Sequence, residues 1–232
     1  MPDPLVANGS GRWPDDPVER AAAAAAAGLD RPVAAGVPAA LAALVADDPD
    51  GRVRAAALGA LARLPDPPPA DPTRTGAWMR AAADPDPAVR RRAADLAPAF
   101  RRSLLTGGVS EERRIVGVLV GLLGDGDAAV AEAAAWALGE LGDGSAVSQL
   151  AAVAGSHRDP LVREAAVAAL GAIGHPGGLD AVLAACADKP AIRRRAVLAL
   201  AAFDGPAVDA ALQAALTDKD WQTRQAAEDL LG

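Results

Sequence analysis

DPLVREAAVAALGAIG, residues 159–174, decides the fold of this chain. It opens on an aspartate, places proline next, a β-branched residue three positions after the aspartate and an arginine four after it. It then runs in alanine and leucine to a glycine. Aspartate accepts hydrogen bonds from the free first-turn N–H groups of a helix. Proline at the first helical position forfeits no hydrogen bond, and glycine closes a helix in the left-handed conformation. Imperfect copies are DGRVRAAALGALARL (50–64), DPAVRRRAADLAPAF (86–100), DAAVAEAAAWALGELG (127–142), KPAIRRRAVLALAAF (189–203) and DWQTRQAAEDLLG (220–232). Their starts are spaced by 36, 41, 32, 30 and 31 residues. Self-similarity at such a period marks a stacked solenoid, in which each repeat packs on its neighbours and presents an extended surface.

Composition agrees with an all-α chain. Of 232 residues 51% are hydrophobic but only 3% aromatic. Alanine supplies most of the excess and has the highest helix propensity. No run alternates with the period of two that a half-buried strand needs. A net charge of −7 opposes duplex recognition, which relies on a basic face to neutralise phosphates. The single cysteine, Cys186, forms no internal disulfide, which fits a reducing, cytoplasmic setting. The N-terminal sequence lacks a secretory pattern, and the alanine run beginning at Ala21 is too short and weakly apolar to span a bilayer. No membrane association is expected.

Each copy of the phrase is the second, or B, helix of a pair. The first, or A, helices are predicted at about 37–47, 75–83, 111–123, 146–154, 178–187 and 206–217. A further helix, about 16–28, would cover the N-terminal end, since terminal repeats otherwise expose core. The expected domains are a flexible arm over 1–15 and a single solenoid over 16–232. The proline-rich stretch 65–71 reads as a rigid connector. Residues 101–110 read as an irregular joint, with Gly107-Gly108 ending a helix. Pro98 is expected to kink the second B helix or end it early.

The six stretches resemble HEAT repeats, in particular the bacterial kind found in phycobilisome-lyase-like proteins. The resemblance covers about 37–232. It implies a right-handed α-solenoid of about six HEAT-like helix pairs, with the B helices lining the concave side. It also implies a structural arginine ladder at Arg54, Arg90, Arg163, Arg193 and Arg224, each pairing with an acidic residue of a neighbouring repeat. Ala131 stands at that position in the third repeat and should leave a gap. Proteins with such repeats include scaffolds, chromophore lyases and a branch of DNA glycosylases, so the resemblance fixes fold more tightly than function.

Counted from the starting residue, positions +3, +7, +11 and +14 are apolar or small and face the stack. Positions +5, +9 and +13 form a separate column. The third repeat holds Glu132, Trp136 and Glu140 there; the fourth adds Glu164 and the fifth Arg194. At the position of Trp136 the other repeats carry Gly59, Asp95, Ala168, Leu198 and Asp229, so the fold does not require an aromatic. Two readings stand: a binding anchor in a groove, or a filler between adjacent B helices. Trp13, Trp78 and Trp221 read as packing or rim residues.

Catalytic chemistry is scarce. His157 and His175 have no partners at metal-ligand spacing, no phosphate loop or nucleophile motif occurs, and Cys186 reads as a small apolar residue. The expectation is a non-catalytic interaction module without cofactor or metal, holding a segment of another protein with basic residues in a groove formed by Glu132, Trp136, Glu140, Glu164 and Arg194. The alternatives are a lyase-like accessory acting on a cofactor-bearing partner and a HEAT-type DNA glycosylase.

Overall fold

A computed structural model describes residues 13–27, 29, 33, 36–65, 72–104 and 109–232; for residues 72, 101–104 and 109–112 only the backbone is described. The helices are α1 Pro17–Ala26, α2 Val37–Asp47, α3 Gly51–Arg63, α4 Pro72–Ala82, α5 Pro87–Leu104, α6 Val109–Leu122, α7 Ala128–Leu141, α8 Val147–Ser156, α9 Pro160–Ile173, α10 Leu179–Ala185, α11 Pro190–Ala199, α12 Pro206–Ala215 and α13 Trp221–Leu231. No strand occurs among the described residues. The sequence-based A and B helices are therefore all present. Most of connector 65–71, the glycine pair of the expected joint and most of the arm 1–15 lie outside the described residues.

The chain divides into two compact units, one ending at Val118 and the other beginning at Leu119. In the first, B-type helices α1, α3 and α5 pack in sequence, α2 lies on α3, and α4 on α5. In the second, α7, α9, α11 and α13 form the B layer, and α8, α10 and α12 the A layer. Short connections between packed helices make each pair a hairpin.

The caps form as their chemistry dictates. The carboxylates of Asp50, Asp127, Asp159 and Asp220 accept from first-turn N–H groups, while Lys189 has no side-chain cap. Gly142 and Gly174 close α7 and α9 at φ 69° and 64°, a region that penalises a Cβ. The stacking positions +3 and +7 are buried in all six copies: +3 holds Val53, Val89, Val130, Val162, Ile192 and Thr223, and +7 is alanine throughout. Small residues let B helices approach closely. A Cβ built on Gly171 would lie 2.6 Å from the Ala199 Cβ and 2.8 Å from its Cα. At Gly139 the nearest atom would be the Ala169 Cα, at 3.0 Å.

Two expectations change. Helix α5 does not end at Pro98 but continues to Leu104. The proline removes one N–H but leaves the following turns free to form. Helix α1 is more than a cover. Asp16 caps it, Pro17 follows, and Arg20 stands four places after the cap, so DPVER shares the aspartate, proline and arginine of DPLVR, with Glu19 in place of the apolar residue.

Candidate interaction face and the arginine ladder

The ladder is built at the turns between A and B helices. Arg54 grips Asp84 with two hydrogen bonds, Nε to Oδ2 and Nη2 to Oδ1, both 2.7 Å. Arg163 holds Asp188 at 2.8 and 2.9 Å, and Arg193 holds Asp218 at 2.8 and 2.7 Å. Arg20 makes the same contact to Asp48 at 2.6 and 3.2 Å. Each fork is bidentate, the geometry in which a guanidinium best matches a carboxylate. The remaining Nη1 of Arg54, Arg163 and Arg193 donates to carbonyls of its own A–B turn: Asp48 and Pro49, His157, and Asp188. Arg90 and Arg224 make that intra-turn contact too, to Asp84 and Pro85 and to Asp218 and Lys219.

The acidic partners share a second task. Asp48, Asp84 and Asp218 each accept the backbone N–H two residues on, at 2.8–2.9 Å, and so brace the turn. Asp188 accepts from the adjacent Lys189 N–H at 2.7 Å. Burial is the largest single influence on Asp84 and opposes its ionisation, yet the Arg54 fork, the Asp86 N–H and the charges of Arg54 and Arg90 together hold the carboxyl below its ordinary range. The forks from Arg163 and Arg193 lower Asp188 and Asp218 likewise. The sequence reading left these aspartates unnamed, although a signal was present: Asp-x-Asp at 48–50, 84–86 and 218–220 puts the rung acid two residues before the cap.

The third repeat breaks the pattern on both sides of its junction. Ala131 supplies no guanidinium, and the facing position holds His157 where other repeats hold an aspartate. The imidazole Nδ1 keeps only the turn-bracing task, accepting the Asp159 N–H at 3.1 Å. Arg158 reaches back to the Gly126 carbonyl at 3.3 Å, a turn carbonyl of the kind a ladder arginine would serve. A groove of about 660 Å³ lies at this junction, with Leu123, Gly126, Val153, His157 and Arg158 on its walls.

The +5, +9, +13 column lies on another face. Trp136 is 50% exposed there, with Glu132 and Glu140 exposed one turn to either side. It does not fill a seam; Gly139 and Ala169 do that on α7 and α9. Along the same level of the B layer, Ala168 is half-buried and Leu198 is 43% exposed. A shallow hollow of about 310 Å³ sits between α9 and α11, floored by Ala168, Gly171, Ala172 and Ala199 and edged by Leu198 and Arg195. Glu164 meets Arg195 at 3.7 Å, and Arg194 donates to the Gln222 side chain. The sequence-derived residues thus occupy three adjacent helices of one layer, with Glu132, Trp136 and Glu140 on α7, Glu164 on α9 and Arg194 on α11.

The other candidates take separate places. Trp78 is fully buried and its indole N–H donates to the Ala93 carbonyl at 2.8 Å. Trp221 is 64% exposed on the first turn of α13. His175 caps a short turn by accepting the Gly177 N–H. Cys186 is half-buried, burial pushes its thiol pKa up, and it points at the Val182 carbonyl. Among the described residues no group of three His, Cys, Asp or Glu is arranged to hold a metal ion, and no helix is long and apolar enough to cross a membrane.

Comparison with known proteins places this geometry. The chain is similar in fold to the Escherichia coli protein YibA, with 16% identity, a TM-score of 0.63, and coverage of 95% of this chain and 76% of the other. It is similar to a designed armadillo repeat protein, at 16% identity and a TM-score of 0.57, over 84% of this chain and 98% of that one. It is also similar to the CpcE–CpcF complex of phycocyanin lyase from Nostoc sp. PCC7120, at 22% identity and a TM-score of 0.53, over 94% and 83%. No curated protein matches in sequence. The sequence profile for HEAT repeats matches three overlapping windows, residues 76–166, 115–196 and 147–232, well over half of the chain. The chain belongs to the HEAT-repeat family.

Proposed function

We propose that this protein is a non-catalytic protein-binding module whose site is the B-helix face around Trp136. One observation carries the reading: a half-exposed tryptophan stands where the other repeats carry no aromatic, and the seam beneath it is already closed by glycine and alanine. Tryptophan is among the residues that most often dominate binding energy at interfaces. Glu132 and Glu140 beside it favour a partner segment with basic residues. Fold relatives support the mode of action: one structure of similar fold is a computationally designed armadillo repeat protein for modular peptide recognition. The lyase-like alternative draws on the phycocyanin lyase neighbour, and a glycosylase would need a basic face that a chain of net charge −7 does not offer.

The test is affinity capture from the source cell with wild-type protein and Trp136→Ala, both checked by circular dichroism. The variant is expected to keep its melting temperature within a few degrees, because a half-exposed surface side chain contributes about 1 kcal/mol or less to folding. It should lose the specific partner. A variant that retains every partner of the wild type would remove the site from this face.

A further inference from the structure

The face around Trp136 is polarised, and its polarity specifies the segment it accepts. On α7, Glu132 and Glu140 lie four residues to either side of Trp136 and form no ion pair among the described residues. Residues four apart on a helix are neighbours on one face, so both carboxylates border the indole. A cation above the ring gains from the π-face and from both acids at once. On α9 the one acid of the column, Glu164, is already engaged by Arg195. On α11 the charge is reversed by Arg194 and Arg195. Between α9 and α11 the hollow is walled by alanine, glycine and Leu198, which suits an aliphatic side chain, and Arg195 at its edge disfavours a second cation.

Spacing follows from packing. Stacked helices lie about 8–10 Å apart, at the short end where small residues meet, as Gly171 and Ala199 do here. The hollow between α9 and α11 is one and a half such steps from α7, roughly 12 Å. An extended peptide advances about 3.3 Å per residue, so roughly four residues cover that distance.

Resting on the interaction-module reading, we propose that this face binds an extended protein segment that places an arginine or lysine over Trp136 and a leucine-sized residue about four positions away in the α9–α11 hollow. Charge complementarity selects the occupant: basic at the α7 end, uncharged and aliphatic at the α11 end.

The experiment uses the full chain and fluorescein-labelled twelve-residue peptides on a Ser/Gly background, read by anisotropy. Peptides carry arginine and leucine four positions apart in both orders, two apart, or four apart with leucine replaced by serine or arginine by glutamate. The better of the two spacing-four orders is expected to bind at least about tenfold tighter than the other peptides, each lost anchor corresponding to roughly 1.4 kcal/mol. Glu132→Gln with Glu140→Gln should weaken it about tenfold and flatten its salt dependence. Ala172→Phe, which fills the hollow, should abolish the preference for leucine over serine while leaving the preference for arginine over glutamate. Equal binding of all spacings, with loss on Trp136→Ala, overturns the spacing rule and leaves the interaction-module reading standing. Equal binding to Trp136→Ala and wild type overturns both. No binding of any peptide overturns the peptide code, while the capture experiment above judges the module separately.

Discussion

A single arginine illustrates how residue chemistry becomes architecture here. Arg163 is long enough to reach from its own turn to the next one, and its five donors serve a carbonyl on one side and a carboxylate on the other. A lysine would offer one charge and no fork. The paired change to Ala131 and His157 removes both halves of that arrangement together, which avoids stranding either charge in a part-buried turn. Restoring both should therefore be more than additive. In a double-mutant cycle, Ala131→Arg with His157→Asp is expected to show a favourable coupling of about 1–3 kcal/mol, while either change alone stabilises little or destabilises. Urea denaturation measures it, and a coupling near zero would show that the turn cannot accept a rung. The arginines and the gap at Ala131 were legible in sequence because six copies align and an absence shows against the others. The aspartates that receive them were not read, since the helical phrase begins at the cap and they precede it. Whether Trp136 faces solvent was equally open, because exposure at +9 depends on how closely α7 and α9 approach.

At the scale of the helix, approach is set by what is missing. Gly139 and Gly171 lie inside helices, where glycine costs about 1 kcal/mol relative to alanine. The cost is offset by backbone contact that a methyl group would block. Gly171→Ala places the new carbon against the Cα and Cβ of Ala199, neither of which is a flexible side-chain end. It is expected to destabilise by about 1–3 kcal/mol despite the better helix propensity. Gly139→Ala, with its nearest atom at 3.0 Å rather than 2.6 Å, should cost less. Thermal melts of the two variants decide the matter, and a rise in melting temperature for Gly171→Ala would show that α9 and α11 can separate freely. The helices themselves were well marked in sequence by aspartate, proline and glycine. Pro98 was read as a kink or an early end, and α5 runs on through it to Leu104. Helix α1 was read as a cover, although its DPVER opening already shared the aspartate, proline and arginine of the B phrase and its Arg20 makes the same fork.

For the whole molecule, stability is a sum of repeats and of the junctions between them. The rungs add a pH dependence to that sum. Asp84, Asp188 and Asp218 ionise more readily in the folded protein than the ordinary carboxylate does. A lowered folded-state pKa gives stability that is complete above the unfolded value, near 4 for aspartate, and is lost as pH falls through the lower folded values. The melting temperature should thus be nearly flat from about pH 6 to 5 and fall progressively below about pH 4. Asp188→Asn should melt lower at neutral pH and fall less steeply in acid. An unchanged slope would show that Arg163 gains nothing from the charged form.

The missing rung between the third and fourth repeats has a consequence for how such a chain can be cut and rejoined. Each turn that carries a rung aspartate needs an arginine in the repeat before it, and the fourth repeat, with His157, needs none. Excising that repeat would seat Asp188 beside Ala131, an acid facing a methyl group. Duplicating it would set Arg163 against a second imidazole. The seams behave as a mating grammar: repeats that share one fold are not interchangeable, and their order along the chain is written in the turns, away from the face around Trp136.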